Sequence, residues 1–118
     1  MMNNEGLYTI VGNRISENSC HVTVALNRHH KVYSGHFPGH PVLPGVCTLQ
    51  IIKECLGKIV RKKIRYRGIS MCKFTSMIQP TDEQLEISFL IGNDNSFTAT
   101  VQVQDRIMLK LKANFVEL

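Results

Sequence analysis

Two histidines, His36 and His40, are the only titratable side chains in the segment Gly35-His36-Phe37-Pro38-Gly39-His40-Pro41-Val42-Leu43-Pro44-Gly45. Imidazole is the side chain best matched to proton transfer near neutral pH, so general base or acid work is the chemistry this segment offers. The plain alternative is a histidine that caps a backbone carbonyl in a tight turn. A metal site is disfavoured. The i, i+4 spacing of His36 and His40 would chelate only on a helix, and Pro38, Gly39 and Pro41 forbid that helix. No neighbouring Cys or carboxylate completes a ligand set, and the pair His29-His30 adds little to one.

Three of the four prolines and three of the eight glycines fall between residues 35 and 45, a density that neither a helix interior nor a central strand tolerates. The segment is therefore an ordered loop, with Pro44 suited to the first turn of a following helix. Leu49, Ile52, Leu56 and Ile59 recur at three- and four-residue intervals and predict that helix over Gly45 to Val60. Strand patterns lie on either side of it. Leu7 to Ile15 is apolar and β-branched, and Cys20 to Leu26 alternates, with Val22, Val24 and Leu26 on one face. After the helix, strands are expected over 64–78, 84–91, 97–103 and 107–116. Turns are marked by Pro80-Thr81-Asp82, Gly92-Asn93-Asp94-Asn95 and Gln104-Asp105. One helix and a run of antiparallel strands suggests an α+β layer with the helix on one face of the sheet.

Composition narrows the class. The 118 residues read as a single domain, 1–118, and 43% hydrophobic content excludes a disordered chain. No apolar run approaches the roughly 20 residues of a membrane span, and the N-terminus carries no secretory pattern, so a cytoplasmic protein is expected. The cysteines Cys20, Cys47, Cys55 and Cys72 form no Cys-x-x-Cys pair and are expected to pack as small apolar residues. Cys47, near the helix start, could have a lowered pKa. Fourteen Lys and Arg against nine Asp and Glu give +5, and Arg61, Lys62, Lys63, Arg65 and Arg67 put five of the positive charges into seven residues. Such a run is a solvated surface or a docking patch for an acidic partner. Nucleic acid is disfavoured, since only Tyr66 interrupts the run as a stacking aromatic and no nucleic-acid-binding motif accompanies it.

The twelve residues Gly35 to Val46 resemble the signature of the 3-hydroxyacyl-[acyl-carrier-protein] dehydratases, a hot-dog-fold family. Lys73-Phe74 followed by Gln79-Pro80-Thr81-Asp82-Glu83-Gln84-Leu85 is similar to a second family stretch, and Asn27 has a counterpart ahead of the loop. The resemblance implies a long central helix wrapped by a curved antiparallel sheet, paired into dimers with two composite sites. It implies that His36 is the base that removes the α-proton of a 3-hydroxyacyl thioester. The backbone N–H groups of Gly45 and Val46 would polarise the thioester carbonyl, and Phe37, Pro38, Gly39 and Pro44 would contact substrate. Gly45 lacks a Cβ and would let the carbonyl approach closely.

Gln50 stands where the family carries an acidic residue, and Glu54 stands one turn later, where the family commonly has Gln. An amide cannot deliver a proton and remain a stable anion. Three explanations are open. Glu54 could take over as acid through a relaying water, about 5.4 Å further along the helix; Gln50 could orient the substrate hydroxyl or a water; or a second hot-dog subunit could supply the acid. Glu54 itself reads most simply as a solvated or ion-paired helix residue. The resemblance further implies no metal or redox cofactor. The substrate would ride on the phosphopantetheine arm of acyl carrier protein, which Arg61, Lys62, Lys63, Arg65 and Arg67 would dock. The assembly would be a homodimer or higher oligomer, or a heterodimer with another hot-dog subunit. The alternative to an enzyme is a catalytically silent acyl-binding partner subunit.

Overall fold

The computed structural model describes residues 6–17, 19–33, 41–80 and 84–118. Strands β1 (Tyr8–Ile15) and β2 (Ser19–Leu26) precede helix α1 (Gly45–Val60), and β3 (Ile64–Phe74), β4 (Gln84–Ile91), β5 (Ser96–Val103) and β6 (Arg106–Glu117) follow it. The strands form one sheet in the order β1-β2-β4-β5-β6-β3, antiparallel at every junction. One helix on a six-stranded antiparallel sheet is the hot-dog architecture the signature implied.

Alternation drives the sheet against the helix. On β2, Cys20, Val22 and Val24 are buried, while His21 lies exposed on the other face and donates to or accepts from Ser88 Oγ at 2.9 Å. Leu85, Ile87 and Phe89 continue the buried face on β4, and Phe97, Ala99 and Val101 on β5. The helix meets this face with Cys47, Thr48, Ile51, Ile52, Cys55 and Leu56. Its buried stripe is thus rotated from the expected one, and Leu49 and Ile59 pack only part-way into the core. Leu56 is fully buried. Leu56→Ala is expected to cost about 2–5 kcal/mol, read as a lower urea midpoint at unchanged slope.

The expected strand over 64–78 ends at Phe74. Beyond it the chain leaves the ladder, yet Ile78 stays buried and its carbonyl accepts the Leu43 N–H at 2.7 Å. That bond ties the end of the Pro-rich segment, just ahead of the helix, to the stretch that follows β3. At the other end, Arg61 caps the helix in the left-handed conformation (φ 59) and the Lys62 N–H bonds back to Gly57 O at 3.0 Å. Among the described residues no helix is long and apolar enough to cross a membrane.

Candidate active site

Pro44 stands at the N-cap of α1, one residue outside the helix rather than within its first turn, with φ −59 and ψ 144. Proline has no side-chain oxygen to cap the first-turn amides. The N–H groups of Cys47 and Thr48 bond to Pro44 O at 2.9 and 3.2 Å. Those of Gly45 and Val46 meet no acceptor among the described residues. Two donors at the positive end of a helix dipole are therefore left for an oxygen that gathers negative charge.

Beside them lies a cavity of about 520 Å³, lined mainly by Val42, Leu43, Pro44, Phe74, Met77 and Ile78, with Gly45 and Thr48 at the helix. It is an apolar space of small-molecule size. A Cβ built on Gly45 would lie 2.9 Å from the Phe74 ring. The missing side chain at Gly45 thus makes room for this half-exposed aromatic, a packing reason that the sequence reading, centred on substrate approach, did not contain.

Gln50 opens elsewhere. Five residues carry it about 140° around the axis from Gly45, and with Lys53, Glu54 and Gly57 it occupies one helix face. That face lines a second, open cavity of about 550 Å³, which Tyr8, Lys58, Lys62, Lys63, Ile64 and Leu118 also line. Gly45 and Gln50 of a single chain therefore line different cavities.

Glu54 accepts two hydrogen bonds in this second cavity, from Tyr8 OH at 2.7 Å and from Gln50 Nε2 at 3.1 Å. The reading of Glu54 as a solvated or ion-paired residue is corrected: it is partly buried and held by a tyrosine 46 positions upstream. Burial first, and then the bond to Glu54, push the Tyr8 hydroxyl well above its ordinary pKa, so it remains a donor. Tyr66 acts similarly further along: its hydroxyl, raised by burial, donates to Leu49 O at 2.7 Å and anchors mid-helix to β3. No motif marks Tyr8 or Tyr66. Their only signal is an amphipathic ring within a strand pattern.

Residues 12–112 match the family model described as ApeI-like, ApeI dehydratase. The chain belongs to the ApeI-like dehydratase family. Curated relatives include the 3-hydroxyacyl-[acyl-carrier-protein] dehydratase FabZ of Fusobacterium nucleatum, 29% identical over 92 aligned residues that cover 71% of this chain and 65% of that enzyme. FabZ of Lactococcus lactis subsp. lactis is 27% identical over 112 residues, covering 86% of this chain and 74% of the relative. The chain thus spans slightly less than two thirds of the Fusobacterium enzyme's length. Among solved structures, the dehydratase heterocomplex ApeI:P from Xenorhabdus doucetiae superposes with a TM-score of 0.79 at 18% identity, over 92% of this chain and 97% of that one. A putative thioesterase from Shewanella oneidensis shares the fold at a TM-score of 0.59 and 7% identity, over 98% and 87% of the two chains.

For this dehydratase-family chain, the remaining sequence-derived residues fall as follows. His36, Phe37, Pro38, Gly39 and His40 lie outside the described residues, as do Asp82 and Glu83. Asn27 closes the end of β2: its Nδ2 donates to Gly6 O at 2.9 Å and its Oδ1 accepts the His29 N–H at 3.0 Å. Arg61, Lys62, Lys63, Arg65 and Arg67 are all exposed. Lys62 and Lys63 join Lys53 and Lys58 around the Gln50 cavity, and Lys62 also pairs with Glu117 at 3.4 Å. Arg65 and Arg67 sit on β3, an outer strand of the sheet.

The cysteines divide. Cys20, Cys47 and Cys55 are buried, as expected, but Cys72 is exposed on β3, where none of the described residues covers it. A lowered pKa at Cys47 is also corrected: burial pushes the thiol up. Burial pushes Cys55 up to about 12.

Proposed function

We propose that this chain is a 3-hydroxyacyl-thioester dehydratase that eliminates water to give the trans-2-enoyl thioester, working in fatty acid or related acyl-chain synthesis. The observation that carries the reading is the pair of unclaimed amides at Gly45 and Val46, opening beside an apolar cavity in a chain of this family. The thioester oxygen accepts from these amides as enolate-like charge develops on it. His36 removes the α-proton.

The departing hydroxyl also needs a proton, and Gln50 cannot supply one. The proton on His36 is the one available: passed to the hydroxyl oxygen as the C–O bond breaks, it leaves in the product water and returns the imidazole to its neutral form. Gln50 orients the hydroxyl during this transfer. Every atom is accounted for without a metal or a redox cofactor.

A site using both the Gly45–Val46 amides and Gln50 is composite, because the two groups face different cavities of one chain. The outer strand β3, with Ile69 and Met71 exposed, is the edge on which a second hot-dog chain would pair. The partner is a second copy or another hot-dog subunit. Acyl carrier protein is the proposed donor of substrate, steered by Arg61, Lys62, Lys63, Arg65 and Arg67 with help from Lys53 and Lys58.

A second reading, a catalytically silent acyl-binding subunit, is favoured by one feature, the amide at position 50. Hydration of a short enoyl thioester, presented on carrier protein, separates the two. The enzyme reading expects turnover by the purified chain and a higher KM after Lys62→Glu with Lys63→Glu, at unchanged kcat. No turnover alone, with turnover appearing when a second hot-dog subunit is added, would sink the stand-alone enzyme.

A further inference from the structure

The Tyr8–Glu54–Gln50 chain decides which end of the Gln50 amide faces substrate. The Glu54 carboxylate has no proton to give, so only an N–H can meet it, and Gln50 turns Nε2 toward it at 3.1 Å. Glu54 cannot swing away freely, because Tyr8 OH holds its other oxygen at 2.7 Å from the start of β1. Among the described residues none donates to Gln50 Oε1. The amide therefore enters the cavity with one N–H committed to Glu54 and its carbonyl oxygen unclaimed. An i, i+4 pair on a free helix surface would confer no such fixation; the strand tyrosine does.

We infer that Glu54, locked by Tyr8, is a positioning residue that presents the Gln50 carbonyl oxygen as the acceptor for the 3-hydroxyl of the acyl substrate. This rests on the proposed role of Gln50 in orienting that hydroxyl. The chemistry is specific. A hydroxyl that donates its own hydrogen to Gln50 Oε1 turns a lone pair elsewhere, which is what a departing hydroxyl needs in order to accept a proton. An amide turned the other way would occupy one of the oxygen's two lone pairs. The interchange of Glu and Gln along this helix is thus a change of device, from an acid at position 50 to an oriented acceptor.

The test uses two stable ligands on the intact chain, a 3-hydroxyacyl pantetheine amide and its 3-deoxy counterpart, in which the thioester is replaced so that no turnover occurs. The wild type is expected to bind the hydroxy ligand about tenfold more tightly than the deoxy ligand, the value of one well-placed hydrogen bond. Glu54→Leu is expected to reduce that ratio to about one, and Tyr8→Phe to reduce it part-way. Glu54→Gln retains an acceptor for the Gln50 N–H and is expected to restore most of the ratio. Thermal unfolding of each variant is recorded, and Tyr8→Phe serves if Glu54→Leu does not fold. Equal binding of the two ligands by the wild type, or no binding of either, overturns the inference, as does a ratio unmoved by Tyr8→Phe. Discrimination that follows this pattern in a chain without hydration activity overturns the dehydratase reading and leaves the positioning role standing.

Discussion

Gln50→Glu is expected to raise kcat/KM for dehydration of a 3-hydroxyacyl thioester by about 10²-fold or more, within the usual range for a general acid. The new carboxyl would stand where Nε2 now lies 3.1 Å from the Glu54 carboxylate. Two carboxylates in contact repel, so the introduced group holds its proton more tightly than an isolated glutamic acid. A protonated carboxyl at position 50 can do what the amide cannot, which is to hand a proton to the leaving oxygen. The gain is present below the raised pKa and fades as pH rises through it. Lys53 and Lys58, lining the same cavity, favour the charged form and narrow that window. An unchanged rate would mean that position 50 does not meet the departing hydroxyl.

Local periodicity carried most of the architecture. The helix runs over Gly45–Val60, as read from the three- and four-residue spacing of its apolar residues, β4 runs over Gln84–Ile91 as its strand-like pattern predicts, and the other strands begin or end within a few residues of expectation. Errors came where burial depends on distant partners. Cys47, Thr48 and Cys55 are buried beneath the sheet, although their weak hydropathy gives the helix pattern little to register. Ile78 looked like the end of a strand because it is apolar, but it is buried as the anchor for Leu43. Of the site, the Gly45–Val46 amides and Gln50 were both singled out by the resemblance of the signature. The Tyr8–Glu54 bond was not, because it joins the first strand to the helix across 46 residues. Without it, Glu54 was indistinguishable from a solvated side chain. The basic run was visible as charge, but its division between the Gln50 cavity and an outer strand depends on where the helix stops and β3 begins.

The other large expected effect belongs to His36, and it tests the central claim most directly. In the proposed reaction this histidine both takes the α-proton and returns a proton to the hydroxyl, so no second group in the site replaces it. The measurement is enoyl-thioester hydration by the purified wild-type chain and by His36→Ala, with both variants shown to fold and associate alike. The expected result is measurable hydration by the wild type and a loss of about 10²- to 10⁴-fold in kcat/KM on removing the imidazole. Hydration that survives His36→Ala undiminished, or a wild-type chain that hydrates nothing, would contradict the account.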